Sequence, residues 1–223
     1  MDQVRAAFRD ECARLEQVLR DLDEADLDRP TPCPPWTVRD LLAHVRTGAG
    51  RLAGMLAAPA PERAEVDAAG YFGAAKFTPD VDRDRIDGAR REARELPGVP
   101  EVAEGFARAW RAADAAVAAA PPGRLVRTRH GDAMALTEFL RTRVVEVAVH
   151  GLDLADALDR RPWLTPTAAA VVADLLAADR PVPDGLGWDA LILVRKATGR
   201  VPLTDAERAV LDRTGFRWLS FSG

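Results

Sequence analysis

Apolar side chains return every three or four residues along most of this 223-residue chain, a spacing that commits it to helices packed through one face. Val4, Phe8, Cys12, Leu15, Val18, Leu19 and Leu22 form one such stripe and predict a first helix of about 20 residues. The run Asp28 to Pro35 ends it, because Pro30, Pro32, Pro34 and Pro35 lack amide donors and fix φ. Thr37 then reads as an N-cap, with Asp40 three residues on to complete a capping box and Trp36 and Leu41 placed for a hydrophobic staple. This second helix runs to about Leu56, with Leu41, His44, Val45, Gly48 and Leu52 on one face. Prolines and glycines punctuate 57–100 into short helical pieces, of which Asp82 to Glu95 is highly charged and expected to be solvated. An alanine-rich helix fits Glu101 to Ala120, and Arg124 to Met134 reads as a short hairpin turning near Gly131. Thr137 is placed to cap a long helix reaching about Leu158. Thr165-Pro166 opens a helix to about Ala178, Asp189 to Thr198 is a further helix, and Thr204-x-x-Glu207 is a capping box for a last one before an aromatic end, Phe216 to Phe221. There is no internal repeat, and the expected fold class is all-α.

Composition removes several functions. No apolar run approaches the roughly 18 residues that a membrane span needs, and Met1 to Arg5 leads into a charged amphipathic pattern unlike a signal-peptide core. A net charge of −4 gives no broad footprint for nucleic acid. Cys12 and Cys33 cannot build a disulfide framework and read as two reduced thiols of a cytoplasmic protein. The chain has no Gly-rich phosphate loop, no GxSxG elbow and no HExxH.

Only three histidines occur, His44, His130 and His150, so their placement is informative. On a helical wheel of the segment from Thr137, at about 100° per residue, Phe139, Arg143, Glu146, His150 and Asp153 fall within roughly 60° of one another. Val145 and Leu152 flank this strip on one side, Val147 and Leu154 on the other. Charged groups between apolar shoulders must be paired or bind a metal. Glu146 and His150, four residues apart, sit on neighbouring turns of one face and can share an ion. A catalytic zinc-type site takes three protein ligands and an open position, and His44, on the core face of another helix, is the best third candidate. From spacing alone, a simple helix pair is the favoured reading of Glu146 and His150, a core histidine is the commoner reading of His44, and Arg143 and Asp153 fit surface charges. His130 is expected to be exposed, and Cys33 to be structural, with no basic residue near it in sequence to lower its pKa.

Two stretches also resemble a known family. Thr31-Pro-Cys-Pro-Pro-Trp-Thr-Val-Arg-Asp-Leu-Leu-Ala-His44 looks like the opening motif of the mycothiol-dependent maleylpyruvate isomerase family, within the DinB/YfiT-like superfamily. Arg141 to Leu158, containing Glu146, His150 and Asp153, resembles its second motif. The resemblance covers about residues 1–160 and implies a DinB-like four-helix bundle, with 161–223 as a small, mostly helical C-terminal extension. It implies a divalent metal, usually Zn²⁺, on His44, Glu146 and His150, which activates the thiol of mycothiol for attack on an electrophilic substrate. The product is an S-conjugate, or an adduct that permits cis–trans isomerisation. Arg143 is the candidate catalytic residue, pairing with a substrate carboxylate or orienting Glu146, and Asp153 a hydrogen-bond acceptor behind a ligand imidazole. The expected partners are a small thiol and an electrophile, the expected assembly a monomer or homodimer. Two departures stand out. The family's Cys-Pro-Gly-Trp is Cys33-Pro34-Pro35-Trp36 here. The isomerase's C-terminal domain supplies a catalytic arginine, and no arginine of 161–223 is matched to that role by sequence. A thiol-independent hydrolase or a non-catalytic metal-binding module on the same bundle are the alternatives.

Overall fold

Each predicted stripe becomes one wall of a helical bundle in the computed structural model, which describes residues 1–73, 78–178 and 180–219. The helices in chain order are α1 (Asp2–Arg20), α2 (Val38–Ala57), a single turn α3 (Ala68–Tyr71), α4 (Pro79–Ala93), α5 (Val99–Ala119) and α6 (Leu136–Ala157). α1 packs on α5 and α6, and α2 packs on the same two, so the four long helices close a bundle. The C-terminal α7 (Pro166–Leu176) lies against α1 and α6, α8 (Ala190–Ala197) against α7, and α9 (Asp205–Thr214) follows. Strands β1 (Leu125–Arg127) and β2 (Ala133–Ala135) form the expected hairpin, with Val126 opposite Met134. The fold is all-α apart from that hairpin. The aromatic end is described as far as Leu219; Ser220 and Phe221 lie outside the described residues.

One apolar core runs from Ala7 to Phe216, with Phe8, Phe106 and Phe139 among its fully buried side chains. α6 is its axis and is buried on almost every side, as apolar shoulders on both flanks of a polar strip require. Arg143 and Asp153 are buried with it, which removes the surface-charge alternative. α7 is anchored from inside: the Glu11 carboxylate of α1 accepts hydrogen bonds from the Thr165 amide (2.9 Å) and hydroxyl (2.6 Å).

Local signals set the helix ends. The capping box of α2 is formed: the Thr37 hydroxyl accepts from the Asp40 amide, and the Asp40 carboxylate accepts from the Thr37 amide at 3.1 Å. Two sequence expectations need correction. α6 begins at Leu136, with Ala135 in the cap position and no side-chain cap. β2 feeds straight into the helix, and the Arg124 carbonyl of the hairpin takes the Leu136 amide (2.9 Å), so Thr137 has no capping role. The charged stretch after Thr78 is one continuous helix, not short solvated pieces. Thr78 caps it with Pro79 in its first turn, and Ala89 and Ala93 are buried as it packs on α2. Two alanines are too weak a stripe to show among so many charges.

Capping therefore separates the two threonines. Thr37→Ala should lower unfolding free energy by about 1 kcal/mol. Thr137→Ala, which removes only a 3.7 Å contact to Met1 Sδ, should change it by less than about 0.5 kcal/mol. Urea denaturation of both variants checks this, and equal losses would contradict it.

Candidate metal centre

The three ligand candidates come from two facing helices. His44 lies two turns into α2, where the Thr37 cap and the loop before it set the helix entry. That loop is pinned by Thr31 N to Trp36 O (3.1 Å) and Val38 N to Arg29 O (2.9 Å). Trp36 is buried and its ring lies 4.8 Å from that of His44, fixing one face of the imidazole. Glu146 and His150 face it from α6. His44 Nε2 donates to Glu146 Oε1 at 2.5 Å, and His150 Nε2 is 3.6 Å from the same oxygen. One donor atom from each of the three lies within 4.8 Å of the others. Gly48 makes this approach possible: a Cβ there would sit 3.3 Å from Glu146 Cγ and 3.4 Å from Arg143 Nη1.

Electrostatics divide the two imidazoles. Burial pushes the His44 pKa down, and Glu146 only partly offsets this, so His44 is held neutral. Burial acts the same way on His150, but hydrogen bonds with Asp153, Cys33 and Glu146 outweigh it and raise its pKa well above the ordinary histidine value. Burial also opposes ionisation of Glu146, yet His44, His150 and Arg143 together hold its carboxyl well below the usual range. Asp153 completes the arrangement. Its Oδ2 lies 2.9 Å from His150 Nδ1, leaving Nε2 turned toward Glu146. Burial is again outweighed, here by His150 and Arg200, which lower the Asp153 pKa.

Sequence reasoning missed Arg200. Its guanidinium makes a two-pronged ion pair with Asp153, Nε to Oδ1 at 2.9 Å and Nη2 to Oδ2 at 2.7 Å. The chain brings it there through Gly199, whose φ of +75° ends α8 in a left-handed turn. No periodicity signals a residue just past a helix end. Cys33 also requires correction: the fold, not the sequence, supplies its neighbours, placing Sγ 3.2 Å from Asp153 Oδ2 and beside His150. Cys33, His150 and Asp153 form a second possible donor group, but Asp153 is already engaged on both oxygens by Arg200. His130 is not the exposed histidine expected. It is half-buried, 5.5 Å from the Tyr71 ring, on the wall of the cavity that holds the centre.

That cavity has a volume of about 940 Å³, large enough for a small-molecule site. Arg143 lines it one turn before Glu146, its guanidinium 4.8 Å from the Phe139 ring. Two imidazoles and one carboxylate are a donor set suited to Zn²⁺. Ligand atoms on a tetrahedral zinc lie about 3.4 Å apart, close to the 3.6 Å between His150 Nε2 and Glu146 Oε1. The His44–Glu146 hydrogen bond is the contact an ion would replace.

Comparison with known proteins agrees with this architecture. No curated protein matches the sequence. Among solved structures, the crystal structure of a mycothiol-dependent maleylpyruvate isomerase superposes with a TM-score of 0.55 at 16% identity, over 79% of this chain and 70% of that one. A histidine-to-alanine mutant of that enzyme gives 0.53 at 15%, with the same coverage. These likenesses identify the DinB-like helical fold. The family model of the mycothiol maleylpyruvate isomerase N-terminal domain matches residues 8–155, which contain His44, Glu146 and His150, and this chain belongs to that family.

Proposed function

We propose that this protein is a metal-dependent thiol enzyme, with His44, Glu146 and His150 holding a divalent ion, Zn²⁺ by donor type, and mycothiol or a similar thiol as cosubstrate. The observation that carries the reading is the convergence of those three donor atoms within 4.8 Å, two helices and about a hundred residues apart in sequence. When bound, the ion supplies a Lewis acid beside which a thiol ionises near neutral pH. The chain's own groups do the rest. Asp153 fixes the His150 ring and keeps its Nε2 available to the ion, and Arg200 holds Asp153. Trp36 and the apolar shoulders of α6 limit water around the donors. Arg143 is placed to pair with an anionic group of the electrophile. Sulfur transfer to that electrophile leaves a stable conjugate, or an adduct in which rotation about a former double bond is free.

Arg200 is the one arginine of the described residues after 160 that lines the cavity, which makes it the candidate for the C-terminal arginine that the resemblance implies. Its pairing with Asp153 makes it a positioning residue here, and supports reading the extension as part of the working site.

Elemental analysis of the purified protein should find about one divalent ion per chain, with three ligands as in other sites of this type. His44→Ala, Glu146→Gln and His150→Ala should each lose most of it, whereas His130→Ala should retain it. Wild-type metal content in His44→Ala would eliminate His44 as a ligand. Loaded protein should consume an electrophile only when a thiol is added, and faster with mycothiol than with glutathione. Equal turnover without thiol would favour the hydrolase, and no turnover with either thiol the binding module.

Proton linkage gives a second measurement. The His150 pKa is raised, while those of His44 and Glu146 are lowered, so His150 is the donor from which an arriving ion displaces a proton. Metal binding should therefore release protons, and affinity should fall as pH is lowered. Calorimetry in buffers of different ionisation enthalpy reads this directly, and zero release would contradict it. Asp153→Asn should weaken metal binding by about 10–100-fold with all three ligands in place.

A further inference from the structure

Five arginines line the cavity together with four carboxylates, Asp82, Asp84, Glu92 and Glu146, and not every arginine is paired with one. Besides Arg85, which pairs with Asp82 (3.1 Å), and Arg200, which pairs with Asp153, it is lined by Arg51, Arg129 and Arg143. Among the described residues none of these three has a carboxylate in an ion pair. Arg143 donates to Thr142 Oγ1 (3.1 Å) and Tyr71 Oη (3.4 Å). Arg129 Nε donates to His130 Nε2 (3.2 Å). Arg51 makes neither a hydrogen bond nor an ion pair within the described residues. The three form a graded series, Arg129 exposed at the hairpin turn, Arg51 half-buried and Arg143 buried. They repel one another: burial first, then Arg129 and Arg143, push the Arg51 pKa down. Glu146 offsets part of this positive charge at Arg51 and Arg143, and an anion bound between the arginines would offset more of it.

The three lie to one side of the donor cluster, with Arg143 beside it: a Cβ at Gly48 would meet both Glu146 Cγ (3.3 Å) and Arg143 Nη1 (3.4 Å). Arg51 is seven residues beyond His44, two turns or about 10 Å along α2, and Arg143 is one turn before Glu146 on α6. Both helices therefore place their arginines toward the same end of the cavity, and the hairpin adds Arg129 there. One guanidinium already satisfies a single carboxylate through a fork of two hydrogen bonds. Three guanidiniums offer more donors and charge than one carboxylate uses, and match a tetrahedral oxyanion carrying two charges.

We propose that Arg51, Arg129 and Arg143 form a subsite for a doubly charged phosphate- or phosphonate-type group on the electrophilic substrate. The subsite seats that group at the arginine end and leaves the rest of the molecule directed toward the donor cluster. Its role as a substrate site rests on the thiol-enzyme reading above, but the binding itself does not.

The test is direct binding, by calorimetry or ligand-observed NMR at pH 8, of inorganic phosphate, methylphosphonate and acetate. Protein as purified is compared with EDTA-treated protein. Phosphate and methylphosphonate should bind alike and survive EDTA, and acetate should bind at least about tenfold more weakly. Arg51→Gln and Arg129→Gln should each weaken phosphate by about tenfold or more, the worth of a charge-assisted hydrogen bond, while metal content stays at the wild-type level. Phosphate affinity unchanged in both variants, or lost on metal removal, would overturn the subsite. Phosphate binding without methylphosphonate binding would mean a free ion, not a group on a larger molecule, and acetate as tight as phosphate would reject the dianion. Loss of metal from His44→Ala leaves these outcomes untouched, so the two readings fail independently.

Discussion

A carboxylate moved out of water loses several kcal/mol of hydration unless partners replace it. Glu146 sits at that disadvantage near the middle of the most buried helix of the bundle, and the arrangement around it is the answer. His44 comes from α2 to hydrogen-bond one oxygen, His150 approaches the same oxygen from the next turn, and Gly48 gives way so that the side chain fits. The packing of α2 against α6 and the chemistry of the cavity thus share one cause. A chain that buries this acid must bring two imidazoles to it, and the resulting cluster has the composition of a metal-binding triad.

Asymmetry between the imidazoles follows from what lies behind each. His44 has an indole at its back and is left neutral. His150 has Asp153, itself clamped by Arg200, and holds its proton more tightly. Two chemically identical side chains around one oxygen therefore have pKa values shifted in opposite directions, set by groups that need never touch a ligand.

The bundle was largely legible in the sequence because its helices carry wide apolar stripes and strong end signals. The Thr37–Asp40 box, the Thr165-Pro166 start and the Thr204–Glu207 box all form as spacing predicts. The polar strip of α6 was legible for the opposite reason: Arg143, Glu146, His150 and Asp153 are conspicuous between valines and leucines. What escaped reading depends on tertiary geometry. Arg200 follows a short helix and owes its position to a left-handed glycine, Cys33 gains its neighbours only when the proline loop folds over α6, and His130 turns inward because the hairpin packs beside Tyr71. The α4 stripe was hidden because two alanines carry little hydrophobic signal among fifteen mostly charged residues.

Arg200 gives the peripheral helices a hold on the interior. The turn that delivers it depends on α8 staying wound as far as Thr198, and α8 rests on α7, outside the four-helix ring. Unwinding that last turn would release Asp153 from Arg200 and loosen the His150 ring while the packing of the four long helices stayed in place. Local opening at the end of α8 would thus reach His150 through Arg200 and Asp153, and the C-terminal extension becomes the element through which the stiffness of the donor cluster is set.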